Sequence, residues 1–278
     1  MIKVLKPGLY TSLQDKGRFG YRNKGVPVSG AMDSIAFEQV NMLLGNSEEA
    51  TLIEITMTGP TLQFYAPTYI CIGGANMSAT LNKVSIENYK VYQVSEGDVI
   101  AFGRLIDGFR GYLGVKNGFD SAVKLGSRSQ YYPITEISRL EANTELPFKA
   151  YEKGWEVPIV KIDTNYLNTP ILEVSKGPEF RLLTDKQLEQ LFSKTFALAK
   201  ENNRMAYQLE EAIHPHEHSI LTAATLPGTV QLTPAGKLII LMKDGQTTGG
   251  YPRVLQLSEL AICVLAQKKY GDSITFKL

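Results

Sequence analysis

Two cysteines in 278 residues are too few for a disulfide framework, and each lies inside an aliphatic string, Cys71 in YICIGG and Cys263 in LAICVLA. Core packing in a reducing compartment is the expected role of both thiols. Charge of one sign is also missing, because 29 Lys and Arg face 28 Asp and Glu for a formal net charge of +1. That balance offers no electrostatic footprint to a phosphate backbone or an anionic membrane, so neither nucleic acid nor membrane is an expected partner. The longest apolar run, Leu260 to Ala266, falls well short of the roughly 20 residues of a membrane-spanning helix. Pro7 and Gly8 interrupt the amino terminus where a secretory signal needs its apolar stretch. A soluble, cytoplasmic protein is the expectation. The chain has no GxxxxGK[ST] string, so no P-loop nucleotide site is encoded.

What the sequence does contain is a succession of short apolar strings bounded by Gly, Pro, Asn and Asp. LIEITMTGP, TLQFYAP, TYICIGG, YQVSEGDVIAFG, RGYLGVKNG, PILEVSKGP and KLIILMKDG read as strands closed by turns. A mainly β architecture follows, with helices expected only at Met32 to Leu44, at Asp185 to Phe192 and briefly after Ser258. Thr184 and Gln187 have capping-box spacing at the start of the second helix, and Leu188, Leu191 and Phe192 supply its buried stripe.

The length suggests two packed lobes. A weak echo supports them: Gly97, Asp98, Ile100 and Phe102 in GDVIAF recur as Gly271, Asp272, Ile274 and Phe276 in GDSITF. Each copy reads as a turn feeding a strand. The polar stretch Glu141 to Asn168, which holds Pro147, Trp155 and Pro158, is the expected connection. The boundary falls near Thr164, giving an amino-terminal lobe at 1–163 and a carboxy-terminal lobe at 164–278.

Four strings could carry chemistry. In QTTGGYPRV, Gln246 offers an amide donor and acceptor, Thr247 and Thr248 add hydroxyls, and Gly249 and Gly250 let a backbone approach a ligand. Such a set could read a planar amide, and it could equally be a hairpin turn with local caps. The segment from Ser12 to Asp33 gathers Asp15, Arg18, Arg22 and Asp33 among glycines, either as a carboxylate clamp or as an ordered loop with exposed ion pairs. Arg128, between two serines in LGSRSQYYP, is a further place for an anion or a charged turn. Arg204 in ENNRMAYQL reads as a strand-edge residue, solvated or salt-bridged. The histidines of HPHEH, His214 to His218, have metal-ligating types, but Pro215 forbids a helix face and no distant partner is implied, so a solvated loop is expected. Met242 and Lys243 lack the second Met that flanks a biotin-acceptor lysine, which makes Lys243 a turn residue.

Taken in order, QDKGRFGY, GVPVSGAMD, GNSEEATLIEITMTGPTLQF, LGSRSQY, NRMAYQL, PGTVQL and QTTGGYPRV resemble the carboxyltransferase domain, subdomain A and B family, also called the allophanate hydrolase subunit 2 domain. The resemblance implies a pair of cyclophilin-like β-barrel lobes. It also implies the C-type subunit of a bacterial ATP-dependent 5-oxoprolinase, which opens the lactam of 5-oxoproline to glutamate. Partners resembling the A-type and B-type subunits of that enzyme and a small cyclic amide come with that reading. ATP with magnesium would bind on this chain or on one of those partners, and no covalent biotin is expected here. The family also contains a non-catalytic partner of a kinase-inhibitor-like protein and the carboxyltransferase part of urea carboxylase.

Under the resemblance, Gln246, Thr247, Thr248 and Arg204 form the catalytic set, and Arg18 or Arg128 holds the substrate carboxylate. Asp15, Arg22, Asp33, Asn76, Gly249, Gly250 and Tyr251 complete the substrate side. The opening segment and QTTGGYPRV are expected to line one cleft between the lobes, with Gly250 restricted in φ and space. Some family positions differ. GGAN at Gly73 to Asn76 replaces TGAD, Asn203, Ala206 and Gln208 alter DRMGYRL, and TAATL at Thr222 to Leu226 replaces an acidic or serine-containing segment. If one of the lost acids carried the proton, the chain would be a regulatory relative.

Overall fold

Side chains alternate across a strand, so a strand covered on both faces reads as unbroken apolar sequence. LIEIT is close to this, with Glu54 its charged exception: every residue of Leu52–Thr56 is buried, with Ile53 and Ile55 in one core cluster and Leu52 in another. The computed structural model describes residues 1–278. Met1–Arg18 and Ser29–Thr164 form one compact unit, and Phe19–Val28 with Asn165–Leu278 form a second.

The first unit contains β1 (Ile2–Lys6), β2 (Tyr10–Gln14), α1 (Ser34–Leu43), β3 (Leu52–Thr56), β4 (Thr61–Phe64) and β5 (Thr68–Asn76). It continues with β6 (Thr80–Leu81), β7 (Val84–Ser85), β8 (Val91–Val94), β9 (Val99–Ala101), β10 (Asp107–Val115) and β11 (Glu145–Leu146). Six strands pair in the order β11-β1-β4-β9-β6-β7, and five in the order β2-β3-β10-β5-β8. Ile2, Val4, Leu62, Phe64 and Ile100 of the larger sheet share one core cluster with Leu13, Ile70, Ile72, Leu113 and Val115 of the smaller. The opposite face of the smaller sheet, through Leu52, Cys71 and Tyr112, packs under Phe37, Val40 and Leu44 of the α1 region. Burial there pushes the Cys71 thiol up to about 12, so it stays protonated and acts as a small apolar side chain. Helix α1 begins two residues later than the sequence suggests because Asp33 is its N-cap, accepting from Ala36 N at 3.1 Å.

The second unit contains β12 (Ile171–Lys176), α2 (Asp185–Ser193), β13 (Phe196–Asn202), β14 (Ala206–Ala212) and β15 (Ala223–Ala224). After them come β16 (Thr229–Leu232), β17 (Lys237–Leu241), β18 (Thr248–Gly249), β19 (Arg253–Leu257), α3 (Glu259–Ala266) and β20 (Ser273–Lys277). Seven strands close a barrel in the order β12-β19-β16-β17-β14-β13-β20, sealed by the parallel pair β12 and β20. β15 and β18 form a separate two-stranded ribbon. The capping box on α2 forms as its spacing predicts, Thr184 N donating to Gln187 Oε1 and Gln187 N to Thr184 Oγ1.

The sequence echo is a piece of geometry used twice within the chain. Asp98 accepts from Ser95 N at 2.7 Å and Asp272 from Lys269 N at 2.9 Å, each three residues back. Gly97 and Gly271 stand at φ 91° and 82° beside empty space, so the turn, not crowding, requires glycine. Each turn then exchanges the same two backbone bonds, with Phe64 in one unit and Leu198 in the other. The result is a mainly β fold with three short α-helices, one closed barrel and a two-sheet unit.

Candidate functional site

In the first unit the opening segment is built around Asp15. Its Oδ1 accepts from Gly17 N, Ser127 Oγ and Ser129 Oγ at 2.8, 2.7 and 2.6 Å, and its Oδ2 accepts from Arg128 N at 2.6 Å. A carboxylate taking this many bonds from two short segments ties them together. Arg18 does the same from the other side. Fully buried, it donates Nε to Lys124 O at 3.0 Å and Nη2 to Ser129 O at 2.8 Å. The two strings expected to bind anions are therefore brought together, with Arg18 turned onto the loop's own carbonyls where no solvent reaches it. Arg128 sends its side chain to Asp120 at 3.0 Å on the surface.

Asp33 caps α1 and belongs to a buried polar cluster that strand patterning does not reveal. Met32 N and Tyr112 Oη both donate to Glu54 Oε2 at 2.8 Å, Tyr112 Oη accepts from Asp33 N at 2.8 Å, and Arg110 Nε lies 3.9 Å from Glu54 Oε1. Burial, then the Glu54 and Asp33 charges, holds the Tyr112 phenol well above its ordinary value. Glu54 stands directly opposite Tyr112 in the β3 and β10 ladder. The missed signal is a pair of charges, Glu54 and Arg110, inside strings otherwise apolar or glycine-rich. Asn76 is exposed and accepts from Ser78 N at 3.1 Å, closing an Asx turn.

The second unit holds QTTGGYPRV. Gln246 is exposed, and its Nε2 donates at 3.3 Å to Oε1 of Gln231, a residue of β16 only 1% exposed. Thr225 stitches the loop in place: its Oγ1 donates to Gln246 O at 2.5 Å and its N to Thr247 O at 3.1 Å. Thr248 and Gly249 pair with Ala224 and Ala223. The Phe19–Val28 stretch reaches the same place, since Arg22 Nη2 donates to Thr225 O. Burial alone lowers the Arg22 pKa. Arg253 anchors the far end of the loop through Nε and Nη2 on Glu179 at 2.8 and 2.7 Å and through Nη1 on Ala224 O at 2.5 Å.

Arg204 is salt-bridged. Its Nε and Nη2 reach Asp244 at 2.8 and 3.1 Å, and Asp244 N donates back to Arg204 O at 2.9 Å. Asn203 accepts from Met205 N and Ala206 N at 2.7 and 3.1 Å, so its amide oxygen holds the turn. Lys243 lies in the turn beside Asp244, 3.6 Å from Glu259. The histidine loop is tied to α2 and β16: Gln187 Nε2 donates to His214 O at 2.8 Å, His214 N donates to Gln190 Oε1 at 2.6 Å, His216 Nε2 lies 3.3 Å from Leu232 O, and His216 and His218 stack with ring centroids 5.5 Å apart.

One expectation is corrected. Gly250 does not occupy the left-handed region, and a Cβ there would meet only Ile220 O at 3.9 Å. The crowded glycine is Gly249, where a Cβ would stand 2.4 Å from Gln231 Nε2 and 2.7 Å from Gln246 Nε2. Tyr251 beside them is exposed. Together these groups gather amide, hydroxyl and guanidinium donors around the β15 and β18 ribbon.

A barrel unit and a two-sheet unit carrying such donors define a class of mainly β, two-unit proteins. Residues 24–278 match the model of the carboxyltransferase domain, subdomain A and B, and the chain belongs to that family. It is 31% identical to the C-type subunit of 5-oxoprolinase from Escherichia coli K12, over 99% of this chain and 90% of that protein. It is 32% identical to the Haemophilus influenzae protein of the same name, over 100% and 91%. The crystallised protein TTHA0988 superposes with a TM-score of 0.90 at 26% identity, over all of this chain and 56% of that one. The Kluyveromyces lactis urea amidolyase superposes at 0.88 and 27% identity over 99% of this chain and 18% of that one. No helix is long and apolar enough to cross a membrane.

Proposed function

We propose that the chain is the C-type subunit of an ATP-dependent 5-oxoprolinase and helps to hydrolyse the lactam of 5-oxoproline to glutamate. The carrying observation is a contrast in coverage. The two relatives named as this subunit of 5-oxoprolinase are matched over 90% and 91% of their length, whereas two urea amidolyases are matched over 17% and 16%. The chain thus holds counterparts for nearly all of the former and for a small part of the latter.

Lactam resonance makes ring opening difficult, so the amide must be oriented and its developing negative charge held by fixed donors. Gln246, Thr247 and Thr248 supply orienting groups, and the Arg204 and Asp244 pair positions the turn that carries them. Arg22, Gln231 and the three orienting residues include no carboxylate, a donor set unsuited to magnesium. ATP and its metal are therefore not held by these five residues and enter none of the steps assigned to them, and A-type and B-type partners complete a cytoplasmic assembly. Asn76 and Asn203 each keep their turn closed through the amide oxygen, so the loss of an acid at these positions leaves the local backbone formed. Purification with the presumed partners and an assay for glutamate release from 5-oxoproline and ATP tests the proposal. Release that needs this chain supports it, and no release in any combination overturns it.

A further inference from the structure

Two buried donors in the second unit have no hydrogen-bond partner: Nε2 of Gln231 and Nη1 of Arg22. Leaving a buried donor unmade is destabilising, more so for a charged group, and an orphan in a folded protein calls for an explanation. These two lie on the same small framework. Arg22 Nη2 is on Thr225 O, Thr225 Oγ1 is on Gln246 O, and Gln246 Nε2 is on Gln231 Oε1. Gly249 faces both glutamine amides, and any side chain there would fill the space beside them.

The chemistry of the pair is specific. Burial lowers the Arg22 pKa, and its guanidinium bond to Thr225 O is to a neutral carbonyl. A guanidinium N–H and an amide N–H together complement a ligand with an anionic oxygen and, nearby, a neutral carbonyl oxygen.

We propose that Arg22 and Gln231 are the specificity-determining groups of this site, Arg22 Nη1 binding a carboxylate and Gln231 Nε2 the carbonyl oxygen of an amide in the same small molecule. The inference rests on the lactam-hydrolysing reading and adds to it: the carboxylate is read by Arg22, not by Arg18 or Arg128, and the site selects a carboxylated amide over a neutral one. Gln246 keeps its bond to Gln231 Oε1, which orients the amide so that Gln231 Nε2 is left for the ligand carbonyl.

Titration calorimetry on the full chain, alone and with its partner subunits, uses three probes: 5-oxoproline, 2-pyrrolidinone as the same lactam without a carboxylate, and urea. The expected result is that 5-oxoproline binds most tightly and that Arg22→Ala weakens it by about tenfold or more while leaving 2-pyrrolidinone unchanged. Gln231→Leu is expected to weaken both lactams. Circular dichroism and melting curves identify any variant that fails to fold, in which case Arg22→Lys and Gln231→Glu replace it. Equal affinity for 5-oxoproline and 2-pyrrolidinone, unchanged 5-oxoproline binding in a folded Arg22 variant, or no binding in either preparation overturns the proposal. Glutamate release with full activity in both variants sinks this site while the enzymatic reading stands. Selective binding without glutamate release sinks the enzymatic reading and supports the site.

Discussion

Arg204 grips both carboxylate oxygens of Asp244, at 2.8 and 3.1 Å, two residues before Gln246. The pair is nearly closed to solvent, at 6% and 10% side-chain exposure. Removing one partner of such a pair strands the other charge, at a cost of about 3 kcal/mol. Asp244→Ala is therefore expected to lower stability by about that amount, and Arg204→Lys by less, because a lysine keeps the charge but not the planar fork. Urea unfolding of the two single variants and the double variant gives the coupling energy. Additive losses would contradict a direct pair.

Glu179 and Arg253 make a second fork whose effect depends on pH. The Arg253 hydrogen bond holds the Glu179 carboxyl below its ordinary range, and the same contact raises Arg253. A folded-state value below the unfolded one stabilises at every pH above the unfolded value, and the gain disappears as pH falls through the folded value. Wild-type protein is thus expected to exceed Glu179→Gln in stability at pH 7, with the gap shrinking below about pH 4, where an unperturbed Glu takes up its proton. Thermal melts of both proteins from pH 7 down to pH 3 measure it. A gap that is constant across that range would remove the ion pair as its cause.

The parts of this fold that depend on neighbours in sequence were readable. Thr184 and Gln187 announce a capping box, and the two GD strings announce a repeated turn, because both motifs are closed by bonds spanning three residues. The candidate site depends on longer connections. Asp244 lies 40 positions from Arg204, and Arg22 reaches Thr225 across 203. Gln231 is not legible in PGTVQL because a glutamine in a short strand reads as a solvent-facing residue, whereas it is buried. Glu54 and Arg110 escaped for the same reason, each reading as an ordinary strand charge.

Gly249 and Gly250 are neighbours with opposite tolerances. Gly250→Ala adds a methyl group to open space at ordinary φ, so stability and ligand affinity are expected to hold. Gly249→Ala drives a methyl group into the Gln231 and Gln246 amides. Those are side-chain ends that can move, so the expected stability loss is modest, about 1 kcal/mol, while the amide pair separates. Denaturant midpoints with 5-oxoproline calorimetry distinguish the two. A larger loss from Gly250→Ala would reverse the assignment.

Lys116 gives the first unit a probe that nature supplied only once. Its ammonium donates to Leu44 O at 2.7 Å and Gly45 O at 3.2 Å, just past the carboxy-terminal end of α1, and stands 3.3 Å from the ring centroid of Trp155, the single tryptophan. Trp155 in turn donates Nε1 towards Leu43 O at 3.4 Å. A cation at a helix carboxy terminus satisfies carbonyls that have no partner within the helix, and a desolvated cation against an indole face adds about 2 kcal/mol. Burial lowers the Lys116 pKa, so it is these carbonyls and the ring that hold the charge. Lys116→Met keeps the length and apolar bulk but leaves both carbonyls unmet, and is expected to cost about 2 kcal/mol. The same change removes the charge from the indole, so native fluorescence of Trp155 should shift in wavelength and intensity. Emission spectra and urea titrations of both proteins test the pair together. Identical native spectra would mean that the lysine does not sit on the ring, and identical midpoints that the carbonyls do not depend on it.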